Sequence, residues 1–152
     1  MPSDTDSGGN FGVTGRCYCG ATTFSSAQGP SVVTYCHCQD CRRSTGAPVG
    51  AFAAFATKNV RFSPERGTPV SINPGVNRWY CQTCHSPLAA TYDYLPGMIY
   101  IPLGTIDQAD DLQPQLHSHD DRRLSWFHID DHLPRQTGSA RDALNAKSGS
   151  QG

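Results

Sequence analysis

The chain has 152 residues, a formal net charge of −1, a hydrophobic fraction of 37% and a charged fraction of 16%. This length suits one domain with one core, and the high glycine and proline content indicates many turns and short strands. Because no basic block is present and the longest apolar stretch, residues 47 to 56, is too short to span a bilayer, we expect neither a nucleic-acid nor a membrane partner.

The predicted elements are mainly strands. Residues 1 to 10 are rich in serine, aspartate and glycine and predict a disordered N-terminal tail. The stretch GVTGRCYCGATTFSS is typical of a hairpin, because β-formers alternate with polar residues and glycines mark the turns. Further strands are predicted, in order, in SVVTYCHC, GAPVGAFAAFAT, VRFSPERG, PVSINPGVNRWYCQTC, LAATYDY and GMIYIPLGTID.

Proline or glycine interrupts nearly every helical window, so the sequence predicts a mainly β, single-domain protein. Trp126 and Phe127 are interpreted as core residues. From residue 136 to residue 152 the composition turns small and polar, which predicts a disordered C-terminal tail with at most a frayed helix over ARDALNAK. The ordered domain is therefore expected over residues 11 to 135.

The seven cysteines are the strongest chemical signal. The N-terminus lacks the charged region and apolar core of a secretory signal, so we expect a cytoplasmic location in which thiols stay reduced. An odd number of cysteines also argues against a pure disulfide framework and favours metal binding or redox chemistry.

Cysteine spacing predicts a four-sulfur site. Cys81 and Cys84 form a CxxC knuckle, whose two sulfurs can converge on one tetrahedral ion. Cys17 and Cys19 are two apart, so on a strand their side chains share one face. Together these four cysteines would close a zinc site, and Trp79 and Tyr80 are interpreted as its core cover or, alternatively, as a pocket wall.

Cys36, Cys38 and Cys41 remain as a group of three. A zinc ion with three protein ligands keeps a fourth position for water or substrate, which is the usual arrangement of a catalytic zinc. A soft, thiolate-rich site of this kind suits an incoming sulfur ligand. A histidine could instead complete the group and make it structural; the candidates in the sequence are His37, His85, His117 and His119.

The chain resembles the glutathione-dependent formaldehyde-activating enzyme (GFA) family, also called the CENP-V domain, with its β-tent fold of short antiparallel sheets around zinc sites. The resemblance runs from about Gly15 to Pro134 and fits the order and spacing of all seven cysteines. The signature segments are GRCYCGATTF, CHCQDCRRSTGAPVGAFA, YCQTCHSPL, IPLGTID and WFHIDDHLP. One departure is His85, which follows the knuckle where the family usually has glycine.

The resemblance implies a function and a site. It assigns Cys17, Cys19, Cys81 and Cys84 to a structural zinc, and Cys36, Cys38 and Cys41 to a second zinc linked to catalysis. It further implies a carbon–sulfur lyase that interconverts S-hydroxymethylglutathione with glutathione and formaldehyde.

Other site residues follow from general chemistry. Arg42 and Arg43 directly follow Cys41 and are candidates for binding the carboxylates of a thiol such as glutathione, with surface solvation as the alternative. Candidates for proton transfer are Asp40, His37, His85 and His117.

Two other functions stay open at this point. The chain could be a non-enzymatic zinc module that binds a protein partner, although such a module needs only the four-cysteine site. It could also be a redox sensor in which the group of three releases zinc and forms a disulfide.

Overall fold

The structure, a computed structural model, describes residues 12 to 151. Two sheets and two helices, joined by short 3₁₀ turns, form the described fold, so the mainly β prediction is confirmed. The strands in chain order are β1 (Val13–Arg16), β2 (Thr23–Ser26), β3 (Val32–Cys36), β4 (Gly50–Ala56), β5 (Val60–Ser63), β6 (Val76–Tyr80), β7 (Pro87–Tyr92), β8 (Met98–Pro102) and β9 (Leu116–Ser118).

The smaller sheet has the order β1-β2-β5 and is antiparallel throughout. Its first two strands form the hairpin predicted from the sequence, with Val13 opposite Ser26. Buried and exposed residues alternate along β1 and β2, as expected for a sheet with one face against the core.

The larger sheet has the order β6-β7-β8-β4-β3-β9. β4 lies in the interior of this sheet, and its consecutive residues Phe52, Ala53, Ala54 and Phe55 are all buried, which matches the buried strand predicted there. β9 pairs with β3 in parallel, with Thr34 opposite Leu116. This pair differs from the all-antiparallel expectation; a three-residue strand leaves no periodic pattern to find in a sequence.

The core joins the two sheets. Val13 and Phe24 of the smaller sheet pack in one buried cluster with Trp79, Leu88 and Ile99 of the larger sheet. The interpretation of Trp79 as a core residue is therefore confirmed, and its indole Nε1 donates to the carbonyl of Gly67 at 3.0 Å.

The prediction that Trp126 is a core residue is wrong. Its side chain is 65% exposed and meets the half-buried Phe127 edge-on, with the ring centroids 5.8 Å apart. Both residues lie outside the strands, in the loop that follows β9, where an aromatic pair gains contact without entering the core.

Two helices complete the fold. Helix α1 (Gln39–Thr45) is capped by Cys38 at its start and by Gly46 at its end, and the φ of 76° at Gly46 is the left-handed conformation common after a helix. Helix α2 (Arg141–Gln151) lies in the segment predicted to be a disordered tail. Neither helix has the length and apolar character needed to cross a bilayer.

The structure differs from the disordered end expected from residue 136. Ala140 and Leu144 are buried in a cluster with Cys36, Cys41 and Tyr100, so this segment packs against the domain. The polar composition conceals the packing because only one face of the helix is apolar. The predicted N-terminal tail, residues 1 to 10, lies outside the described residues.

Candidate metal centres and adjoining cavities

The first candidate centre consists of Cys17, Cys19, Cys81 and Cys84. Cys17 and Cys19 lie in the turn after β1, and Cys81 and Cys84 lie in the turn after β6, so the group connects the two sheets. All four sulfurs lie within 4.8 Å of one another. The structure thus brings together the four cysteines that the sequence analysis grouped.

The donor set fits a tetrahedral zinc ion. Zinc–sulfur bonds of about 2.3 Å place neighbouring sulfurs about 3.8 Å apart. The observed Sγ–Sγ distances are 3.7 Å for Cys17–Cys19 and 3.8 Å for Cys19–Cys81. Both distances match the edges of such a tetrahedron.

Hydrogen bonds in the turn after β6 favour the thiolate forms of Cys81 and Cys84. The amides of Thr83 and Cys84 donate to the sulfur of Cys81 at 3.3 and 3.4 Å and hold its pKa below the ordinary value. A hydrogen bond from the Ser86 hydroxyl lowers the pKa of Cys84 to about 5. Because zinc binds the deprotonated sulfur, these contacts prepare Cys81 and Cys84 for the ion.

The second candidate centre consists of Cys36, Cys38 and Cys41. Cys36 ends β3, Cys38 caps α1, and Cys41 lies in its first turn. The Sγ–Sγ distances are 3.4 Å for Cys36–Cys38 and 3.1 Å for Cys36–Cys41, which is closer than a zinc tetrahedron of about 3.8 Å edges requires. All seven cysteines of the chain are free, so none of these three sulfurs is in a disulfide.

In this second centre, Cys38 is the cysteine whose sulfur carries the negative charge. A hydrogen bond from the Cys36 thiol, together with the Cys41 backbone amide at 3.3 Å, lowers the pKa of Cys38 to about 2. The same contact with Cys38 raises the pKa of Cys36 to about 12. Cys38 is the half-exposed member of the group, so its negative sulfur is the one open to an entering ion.

Among the described residues, no histidine or carboxylate joins these three cysteines within 4.8 Å. His37 and His117 lie in a separate group, in which His37 Nε2 and His117 Nδ1 are 2.9 Å apart. His117 Nε2 contacts Asp131 Oδ2 at 2.9 Å, and since a carboxylate only accepts, His117 donates there and accepts from His37. Both imidazoles are buried, and burial lowers the pKa of His37.

That separate group also includes Asp120 and could hold a cation by its spacing alone. However, Arg123 and Arg135 already approach the Asp120 carboxylate, at 3.6 and 3.8 Å. Their positive charge disfavours a further cation at this position.

A cavity of about 170 Å³ adjoins the three cysteines. Its walls include all three sulfur-bearing residues, and three tyrosines, Tyr92, Tyr94 and Tyr100, line it as well. Burial raises the pKa of Tyr94 to about 12, so its hydroxyl stays protonated and can donate a hydrogen bond. The other lining residues are Thr34, Asp40, Phe52, Val76, Ser118, His119, Ser139 and Ala140.

A second cleft, of about 370 Å³, shares Asp40 and Val76 with this cavity. Arg43 of α1 and Arg78 of β6 both line it. Arg42 instead borders a separate shallow depression beside Leu124. Of the two arginines proposed from the sequence, only Arg43 therefore lies in the cleft that joins the cysteine cavity.

The proton-transfer candidates also separate in the structure. Asp40 lines the cysteine cavity, whereas His37 and His117 bond to each other outside its lining, and His85 belongs to the CxxC turn of the other centre. Sequence reasoning missed Arg78, His119 and the tyrosines. The spacing of Tyr92 and Tyr94, two residues apart near the end of a strand, is the available signal that both side chains point to one side.

The fold and the cysteine groups define a β protein with two candidate thiolate metal centres. The model of the glutathione-dependent formaldehyde-activating enzyme family matches residues 12 to 122, and the chain belongs to this family. A solved structure of a Rhodobacter sphaeroides protein from structural genomics aligns with a TM-score of 0.50 at 19% identity, over 81% of this chain and 99% of that one. No match is found among curated proteins.

Proposed function

We propose that the protein is a zinc-dependent carbon–sulfur lyase that acts on a thiol adduct of the S-hydroxymethylglutathione type. The observation that carries this proposal is the group of Cys36, Cys38 and Cys41, which has three sulfurs, no fourth protein donor among the described residues, and a cavity beside it. An interaction module needs only a structural zinc site, and such a site is closed by four protein ligands. It does not require three ligands beside a cavity.

The reaction joins a thiol and a carbonyl. In the synthetic direction a bond forms between the thiol sulfur and the carbonyl carbon, and the thiol proton ends on the carbonyl oxygen as a hydroxyl; the lyase direction reverses both changes. Zinc would be held by Cys36, Cys38 and Cys41, and it would stabilise the thiolate form of a substrate sulfur at neutral pH.

The chain's own residues would bind and orient the reactants. The aromatic wall of Tyr92, Tyr94 and Tyr100 excludes water from the cavity and holds a small carbonyl compound near the sulfurs. The Tyr94 hydroxyl is protonated and able to donate to the adduct oxygen. The catalytic roles of the three cysteines remain part of this proposal.

A cytoplasmic location is proposed on the same chemistry. All seven cysteines are free, and thiols persist in reducing compartments.

The test combines metal content with exchange kinetics. Zinc stoichiometry is measured for the wild type and for Cys38→Ser, and glutathione–formaldehyde exchange is followed by NMR. We expect two zinc ions to fall to one in the variant and exchange to be abolished, since the half-exposed sulfur is lost.

Circular dichroism of the same samples shows whether the variant is folded. Unchanged exchange in a folded variant that has lost one zinc would contradict the catalytic assignment. If Cys38→Ser loses one zinc ion but the wild type itself shows no glutathione–formaldehyde exchange, the interaction module would be favoured. A disulfide within the group after mild oxidation, with zinc release, would favour a redox sensor.

A further inference from the structure

Arg78 carries a positive charge with no anionic partner in the described part of the chain. Its side chain is partly buried, and its Nη2 atom is buried without a hydrogen-bond partner. No carboxylate lies within ion-pair distance of it among residues 12 to 151, and its guanidinium carbon lies 5.9 Å from the ring centroid of Tyr92. A guanidinium group without a protein acceptor is costly to bury, so the part of Arg78 that lines the neighbouring cleft favours an external acceptor.

The position of Arg78 is suited to such an acceptor. It lies on β6 and lines the cleft of about 370 Å³, and Arg43 on α1 lines the same cleft. Two guanidinium groups from different elements thus border one space, and guanidinium groups bind carboxylates through paired hydrogen bonds.

The cleft also contains one negative group. The carboxylate of Asp40 is fixed by the side-chain amide of Asn73, whose Nδ2 contacts both carboxylate oxygens at 3.1 Å. Asp40 remains exposed, so it can still accept from an ammonium group. Two guanidinium groups and one carboxylate complement a ligand that carries carboxylates together with an amino group.

The cleft lies next to the cysteine cavity. Asp40 and Val76 line both spaces, so a ligand with its sulfur beside Cys38 can extend into the cleft that Arg78 lines. The cavity itself, at about 170 Å³ and lined in part by aromatic side chains, has room for a small carbonyl group rather than for a charged peptide.

We propose that Arg78, with Arg43 and Asp40, forms the recognition site for the charged head of the thiol, a group of the α-amino-acid type with at least one carboxylate. Arg78 is then a specificity-determining residue that selects anionic thiols over neutral ones. This inference rests on the proposed function and names the substrate class of the same site.

The test compares Arg78→Gln with the wild type, both loaded with zinc. Binding of glutathione is measured by calorimetry, and exchange with formaldehyde is measured with glutathione, with its diethyl ester and with 2-mercaptoethanol. We expect Arg78→Gln to weaken glutathione binding and to raise its KM by about ten- to hundredfold, the size of a lost charged hydrogen bond. The values of kcat for all three thiols, and KM for 2-mercaptoethanol, should change little.

Two further variants separate the charge of Arg78 from its packing. Arg78→Lys keeps the charge and should restore part of the binding. Arg61→Gln removes an exposed arginine of β5, away from the cleft, and should leave binding unchanged. Melting curves establish that each variant is folded.

The outcomes distinguish this inference from the proposed function. Equal glutathione binding by Arg78→Gln and the wild type would overturn the recognition site, whatever the exchange rates. Absence of glutathione binding by the wild type would overturn it as well. Binding that depends on Arg78, without exchange in the wild type, would leave the recognition site standing and overturn the lyase.

Discussion

At the scale of single residues, His85 is the clearest case of a residue whose backbone conformation is unfavourable for its type. It has a φ of 63° and closes the CxxC turn, where its amide donates to the carbonyl of Cys81 at 2.9 Å. A residue with a β-carbon pays about 1–2 kcal/mol for this left-handed conformation, whereas glycine adopts it freely. The family usually has glycine at this position. The positive φ explains that preference, because histidine is strained in a conformation that glycine adopts without cost.

We expect His85→Gly to raise the free energy of unfolding by about 0.5–1 kcal/mol. The gain is less than the full conformational cost because glycine also loses more entropy on folding. Urea unfolding of zinc-saturated protein measures the difference. His132→Gly is the matched control, because His132 is also exposed but lacks a positive φ, and it should lower stability. A variant at position 85 no more stable than this control would contradict the explanation.

At the scale of elements, helix α2 holds one wall of the cysteine cavity. Ser139 and Ala140, directly before the helix, line the cavity, and Leu144 is buried with Cys36 and Cys41. The docking of α2 therefore affects the site although none of its residues is a metal ligand.

Leu144→Ala should lower the free energy of unfolding by about 2–4 kcal/mol, because it leaves a cavity where the side chain packed. Thermal and urea melts measure the loss. Asn145→Ala changes an exposed residue of the same helix and should be close to neutral. Similar stability of the two variants would mean that the helix does not contribute to the core.

The elements that the sequence predicts are those with strong local patterns. The hairpin of β1 and β2 and the buried strand β4 follow from alternation and from an apolar run. The parallel pairing of β9 with β3 depends on residues far apart in the chain, as in the contact of His117 with His37, and no local pattern encodes it. The contact face of α2 consists of few residues, so its composition resembles that of a tail.

At the scale of the whole molecule, the four-cysteine centre connects the smaller sheet to the larger one. The apolar cluster around Trp79 also joins them, and Cys17 and Cys81 are part of it. An ion at this position would therefore support the tertiary structure, whereas an ion on the group of three lies within the larger sheet and α1.

Zinc removal should reflect this difference. We expect a chelator to lower the melting temperature by about 10 °C or more, because bound metal contributes to folding free energy. Between two variants that each lose one ion, Cys19→Ser should melt lower than Cys38→Ser, since Cys19 belongs to the centre that joins the sheets. Cys19 is exposed, so the substitution itself disturbs little packing. The reverse order of melting temperatures would contradict the structural role of the four-cysteine centre.

The cysteine groups could be predicted from the sequence because metal ligands obey spacing rules that survive without a structure. The charged cleft could not. Arg43 and Arg78 lie on different elements, and only the folded structure places both of them in the lining of one cleft. No sequence pattern around Cys81 predicts that Arg78 faces a cavity.

The two cysteine groups also differ in how they can be assembled as the chain is made. Cys36, Cys38 and Cys41 leave the ribosome almost together, so this set is complete once α1 has formed. Cys17 and Cys19 emerge early, but the four-cysteine site cannot form until Cys81 and Cys84 have been made. Cys19 and Cys81 are 62 positions apart in the sequence. The growing chain therefore has two unpartnered thiols while the next 62 residues are made, and the four-cysteine centre between the sheets can form only after β6 has been made.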